Sequence, residues 1–341
     1  MAAGVQTSTV LKTAAIWIGT AAAVWLVWLL RSALLVAFAA LLLSLLLRLM
    51  TRVICRLLPF TRGAALVIAV LVVVGLVALC LILFGATMGG QLHDAIQRAR
   101  DGLGTFEAFL RANGIDASPI AKTAGSLGAE LPTVLLSGIS FGEVAVIVGV
   151  SAIYLAAEPA IYRDGIATLF PQRMQKKGEE ALDLIATSLK LWMLGQLGAM
   201  LIVGVLTYVG LLAIGVPAPL ALALIAGLAE AVPYLGPFLG AVPALLVALT
   251  QSMQIAVWTA LIYLAVHMIE GYFIAPMLQR WFVRIPPALI LIGIFIAQLI
   301  FGFWGVVLAA PVVVAVFTAV KVLYVRNALH KPAEIPDTVP V

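Results

Sequence analysis

The chain has 341 residues, 64% of them hydrophobic and 10% charged, with a mean hydropathy of +1.18. A soluble domain is about half apolar and about a quarter charged, so this composition excludes a water-soluble globule and implies a polytopic membrane protein. The net charge of +5 therefore carries orientation rather than a nucleic-acid footprint, and two cysteines make neither a disulfide framework nor a metal site.

The first apolar block runs from Thr13 to Leu47 and is interrupted at Arg31 and Ser32. It is read as two spans joined by a tight turn. Its Trp17, Trp25 and Trp28 suit a retained span better than a cleaved signal peptide. An arginine-rich connector follows (Arg48, Arg52, Arg56, Arg62), closed by Pro59. A third span covers about 64–88, completing an N-terminal three-span segment over 1–88. Residues 89–137 turn polar, and Leu92, Ile96, Ala99, Leu103, Phe106 and Leu110 place one apolar stripe on an amphipathic, extracytoplasmic helix. A fourth span (138–157) leads into a cytoplasmic amphipathic stretch to Lys190, with "FPQRMQKKGEE" as its turn. A fifth span runs from Leu191 to Gly215. Two unusual blocks follow, 216–252 and 285–323, separated by an ordinary span from Ile255 to Met277. Residues 191–326 are thus the expected transport core, and 327–341 a disordered cytoplasmic tail.

With the N-terminus in the cytoplasm, fifteen of the twenty Lys and Arg fall inside, a clear positive-inside bias. Both termini are then cytoplasmic, and each unusual block must begin and end on one side. Each is therefore a hairpin. The expected fold is an all-α polytopic membrane protein with about six full spans plus two broken, re-entrant helical hairpins.

The two blocks share punctuation. "VPAPL" opens the first and "IPPAL" the second; Glu230, Gly236 and Pro243 of one correspond to Gln298, Gly305 and Pro311 of the other. Since one enters from outside and the other from inside, they are read as an inverted repeat whose broken helices meet near the midplane. Proline removes an N–H and clashes with the preceding turn, and glycine permits a tight bend. Backbone irregularity at membrane depth survives only where protein or water covers it. Pro233, Gly236 and Pro237, with Gly302, Gly305 and Pro311, are therefore the expected helix-break or hinge positions.

Glu230 precedes the first break, and an intramembrane carboxylate faces a pathway or a partner. It is the leading candidate for a proton- or cation-responsive group, against a structural carboxyl that caps the helix or pairs with arginine. His267 and Glu270 share a helix face with Tyr263 and form a candidate proton relay; no third metal ligand follows them at useful spacing. Gln196 and Gln298 offer amide hydrogen bonds, with interhelical packing as the plainer role. Tyr234 in the break either lines the route or plugs it. No nucleophile elbow, H-E-x-x-H or P-loop occurs, so neither an enzyme nor a nucleotide-driven pump is indicated, and no cofactor is expected.

"VPYLGPFLGAVPA", preceded by "GQL" at 195–197 and followed by "IEGYFIAPML" and "GFWGVVLAAP", resembles the autoinducer-2 exporter family of bacterial membrane proteins. The resemblance covers nearly the whole chain. It implies an eight-helix-type, oligomeric transporter of the inner membrane that exports a small signalling molecule, as in quorum sensing. Some members resemble sodium/proton antiporters in activity. This chain departs from the family pattern at His267 and beside Glu230, so no coupling mechanism is carried over. The expected partners are a small-molecule substrate, H+ or Na+ as the ion, membrane lipid and further copies of the chain, without nucleic acid. Export of a small polar signal is the leading function; sodium/proton antiport and a non-transporting membrane scaffold are the alternatives.

Overall fold

The computed structural model describes residues 17–22, 25–26, 28–78, 82, 138–274, 285–327 and 329. The amphipathic segment 89–137, the Arg280–Arg284 loop, the small-residue pair Gly85 and Gly89, and nearly all of the tail lie outside the described residues. Every described element is helical: α1 (Arg31–Leu57), α2 (Arg62–Ala78), α3 (Gly138–Ala157), α4 (Pro159–Ala167), α5 (Gln175–Ala213), α6 (Pro219–Ala229), α7 (Gly236–Leu249), α8 (Met253–Ile269), α9 (Pro287–Phe301) and α10 (Phe303–Ala319). Both α8 and α10 run on into wider π-turns, Glu270–Ile274 and Val320–Arg326. Among the described residues four helices are long and apolar enough to cross a membrane, or five if the bent pair α3–α4 is one span. That pair bends by 87° at Glu158, where Pro159 starts α4 without needing an N–H partner.

Three boundaries differ from expectation. Where a tight turn at Arg31 is expected, only Leu30 leaves helical geometry (φ −87°, ψ 3°), and i→i−4 hydrogen bonds of 2.9 Å persist on both sides of it. Arg48, Arg52 and Arg56 do not form a connector. They ride on the last turns of α1, which continues ten residues past Leu47. Arginine is a good helix former, and positive charge favours a helix C-terminus. Lys190 and Leu191 likewise fall inside one 39-residue helix, α5. At 1.5 Å per residue α5 is about 58 Å long, far more than the ~30 Å of hydrocarbon, so it spans the bilayer and projects beyond it.

The projecting end of α5 gathers the charge. Arg163 on α4 lies 3.6 Å from Glu179 and 3.5 Å from Asp183, and Arg326 lies 2.9 Å from Glu180. Elements assigned to one side of the membrane by their positive charge thus converge on one collar.

Within the bundle α5 is the central mast, packing against α6, α8, α10, α1 and α4. Leu42 and Leu45 of α1 meet Leu189 of α5 and Val314 of α10. Leu47, Ala69, Ala152 and Ala156 join α1, α2 and α3. Leu211, Leu222, Ala226, Ala244 and Tyr263 join α5 through α8.

Both unusual blocks are interrupted by a break, the first between two short arms and the second between the short α9 and α10, which with its π-turn is long enough to span. At 11 and 14 residues, α6 and α7 reach only about 16 and 21 Å, too short to span singly. Glycine sets how closely the arms approach. A Cβ on Gly240 would lie 2.8 Å from the Ala226 Cα, and one on Gly305 would strike the Ala297 carbonyl. The second hairpin turns at Gly302, whose φ of 63° and ψ of −145° suit glycine alone.

Three corrections concern these hairpins. Pro311 is not a break: it lies buried inside continuous α10. A proline is accommodated in a membrane helix where neighbouring groups cover the freed carbonyl. Gly305 also lies within α10, past the break, as a packing contact rather than a hinge. Nor do the two hairpins meet. Among the described elements α9 packs only on α10 and α1, and neither arm of the first hairpin touches the second. α5 stands between them, taking α6 on one flank and α10 on another.

Candidate functional site

The first break is a run of turns from Glu230 to Leu235 between α6 and α7. Helix α6 stops because Pro233 and Gly236 follow four and seven residues after Ala229, and Pro237 begins α7 in its first turn. Tyr234 takes a left-handed backbone (φ 67°), which is uncommon for a residue with a Cβ. Its side chain is exposed. Gly236 closes the loop: a Cβ there would sit 2.7 Å from the Glu230 Cα and 2.8 Å from the Ala229 carbonyl oxygen.

Gln196, on the mast α5, donates its side-chain amide to the backbone carbonyl of Glu230. That carbonyl belongs to the helix C-terminus, where the last acceptors lack intrahelical partners. The amide therefore holds the loop and sets the direction in which the Glu230 side chain leaves it. Gln196 thus makes an amide hydrogen bond between α5 and the hairpin tip.

Glu230 is 3% exposed, and its Oε2 has no hydrogen-bond partner. No arginine or lysine pairs with it among the described residues, and its carboxylate does not cap the helix. Instead it meets His267 and Glu270, which lie near the end of α8 and at the start of its π-turn. One ligand atom from each of the three residues lies within 4.8 Å of the others. The His267 Nδ1 is 3.1 Å from Glu270 Oε2, and the His267 Nε2 is buried without a partner. Tyr263, one turn earlier on α8, also buries an unpartnered hydroxyl, with its ring centroid 6.2 Å from that of His267. π-turns recur at functional positions, and this one is what carries Glu270 beside the hairpin tip.

The residues therefore separate into two groups. Glu230, His267 and Glu270 form one polar cluster in which Glu230 is buried and the other two are half-buried, with Gln196 behind it. Tyr234 is near in sequence but turned to the surface, and Gln298 is exposed on α9, away from the cluster. What spacing along the chain misses is the union of Glu230 with the His267–Glu270 pair. The absence of a third ligand on α8 is met from a different element, because α7 returns the chain and lays α8 against the first hairpin. The buried hydroxyl of Tyr263 had a sequence signal, its place four residues before His267 on the same face.

The family comparison bears on the whole arrangement. The model of the AI-2E family transporter matches residues 15–325. The chain belongs to the AI-2E transporter family. The match includes both broken hairpins, α8 and the mast, so the cluster lies within the family domain of a multi-pass membrane protein. Curated relatives include YrrI of Bacillus subtilis, 30% identical over 158 residues, covering 46% of this chain and 45% of YrrI. YueF of the same organism is 26% identical over 215 residues, 61% and 58% of the two chains. A Thermotoga maritima protein is 26% identical over 173 residues, 50% and 53%. All three are named as transport proteins, with no substrate in the name. The chain spans about half the length of the curated relatives it matches.

Proposed function

We propose that this AI-2E family member is a secondary transporter of the bacterial inner membrane, exporting a small polar signalling molecule such as autoinducer-2. A cation or proton acting at the Glu230–His267–Glu270 cluster is the coupling step. The observation that carries this is a buried carboxylate, Glu230, gathered with the half-buried His267 and Glu270 at the tip of a broken hairpin. A single charge at the bilayer centre costs ~2.5–3.5 kcal/mol on insertion scales, and more on others. Well-packed apolar residues commonly replace buried charges without loss of stability, so stability alone is a weak reason for the cluster. Discontinuous helices around such groups are the usual build of a secondary-transport site. The collar of Arg163 and Arg326 on the end of α5 is assigned to the cytoplasm, the chain is taken to assemble with further copies, and the two hairpins are read as an inverted repeat.

The carboxylate pair favours a second reading, in which the cluster exchanges sodium for protons and no organic solute moves. Proteoliposomes of the purified chain separate the two. Export predicts autoinducer flux that Glu230→Gln abolishes, whereas exchange predicts a sodium-driven internal pH change that the same substitution abolishes. Neither signal, in vesicles where the chain is folded and inserted, would leave a membrane scaffold and overturn both.

A further inference from the structure

We infer that Glu230, His267 and Glu270 form a binding site for a divalent first-row transition cation, of the zinc, cobalt or manganese type. This rests on the proposed coupling role of the cluster and specifies its ion.

Three observations support it. First, the donor set mixes two carboxylates with an imidazole. Sodium, magnesium and calcium take oxygen ligands, whereas imidazole suits zinc, iron, cobalt and nickel. Second, the spacing is close to what such an ion needs. Bonds of ~2.0–2.1 Å put opposite ligands about 4.2 Å apart at most, and the three donors already lie within 4.8 Å. Neighbouring donors on a tetrahedral ion lie about 3.4 Å apart, so closing by up to about 1.4 Å, shared between side chains on two elements, completes the shell. Third, the cluster is incomplete as it stands. The Glu230 side chain is almost wholly buried, yet Oε2 has no partner; Nε2 of His267 is likewise buried and unpartnered. Buried polar groups are nearly always satisfied, so an almost wholly buried carboxylate with an orphaned oxygen beside an imidazole points to a ligand. With both carboxylates ionised and the imidazole neutral, a divalent ion would balance the site's charge.

The ligands come from two bodies. Glu230 lies on the hairpin tip, held by Gln196, and His267 and Glu270 lie on α8. Three protein ligands leave open positions on the ion, the pattern of a site that exchanges rather than one sealed for structure.

The test uses the full chain in detergent, with Co2+ as the probe because its visible bands report ligand type and geometry. The wild type is expected to bind one Co2+ per chain, with Zn2+ displacing it and 100-fold excesses of Na+ and Mg2+ failing to. Loss of an outer-shell partner alone weakens metal sites 10–100-fold. His267→Gln and Glu230→Gln, each removing a ligand, should therefore weaken binding by about 100-fold or more. Glu143→Gln, exposed on α3 and outside the cluster, should leave it unchanged. Binding unaffected by His267→Gln, or Co2+ readily displaced by Na+, would overturn the inference. Sodium-dependent proton movement or solute flux requiring Glu230, in a chain that binds no Co2+, would overturn the choice of ion while upholding the coupling role. Loss of neither flux nor binding in Glu230→Gln would overturn both.

Discussion

Gly236→Ala is the most exacting small change available at the hairpin. In a helix interior alanine is favoured over glycine by about 1 kcal/mol, so propensity alone predicts a more stable protein. The geometry predicts the opposite. The new methyl carbon would lie 2.7 Å from the Glu230 Cα, 2.8 Å from the Ala229 oxygen and 3.0 Å from the Ala229 carbon. Ordinary contact begins at 3.4 Å, so the closest approach is short by about 0.7 Å, and no rotamer change relieves it because all three atoms are backbone. Overpacking of this kind costs about 1–3 kcal/mol. Gly236 is also the first residue of α7, where the propensity gain is smallest. The net expectation is a loss of about 1–2 kcal/mol, read as an apparent melting temperature lower by a few degrees in detergent. Because the nearest displaced atom is the Glu230 Cα, flux and Co2+ binding should fall as well. Gly149→Ala in α3 is the matched control. Nothing lies within 4 Å of its new methyl, so it should be neutral or stabilising. If Gly236→Ala proves as stable as Gly149→Ala, the close hairpin approach is wrong.

The other predictions follow from single contacts. Gln196→Leu keeps the volume but orphans the Glu230 carbonyl, so stability should fall by about 1–3 kcal/mol and Glu230-dependent flux should drop; an unchanged flux would remove Gln196 from the positioning role. Tyr234→Asn suits a left-handed backbone and should be tolerated, while Tyr234→Val should be less stable than it by about 1–2 kcal/mol in the same melting assay. A double-mutant cycle between Arg326 and Glu180 should return a coupling of only about 0.2–1 kcal/mol, shrinking in high salt, since both side chains are partly exposed.

The sequence was most legible where a physical rule is one-dimensional. Apolar length and Pro–Gly punctuation were enough to locate both breaks and the buried carboxylate beside the first. Helix ends were less legible where charge was taken as a boundary. Arg48, Arg52 and Arg56 are four apart, which is also helical spacing, and α1 carries them outward on its last turns. Lys190 similarly marks where α5 leaves the apolar layer, not where it ends. Pro311 shows the same limit in reverse: a proline in an apolar stretch reads as a break, yet packing decides whether the helix stops. The cluster was legible only in pieces. The i,i+3 relation of His267 and Glu270 can be counted along a helix. Their meeting with Glu230 depends on how α7 returns the chain, which no local spacing records. The separation of the two hairpins by α5 is a packing outcome of the same kind.

The account turns on Glu230 and His267 being neighbours across two elements, and a cross-link measures this directly. In a chain with Cys55 and Cys80 changed to serine, Glu230→Cys and His267→Cys are combined with a protease site in the turn at 250–252. Treatment in membranes with a short bifunctional thiol reagent, then cleavage, should leave the two fragments joined, whereas either single cysteine should let them separate. Fragments that part in the double variant despite full labelling of both thiols would contradict the cluster and, with it, the proposed coupling site.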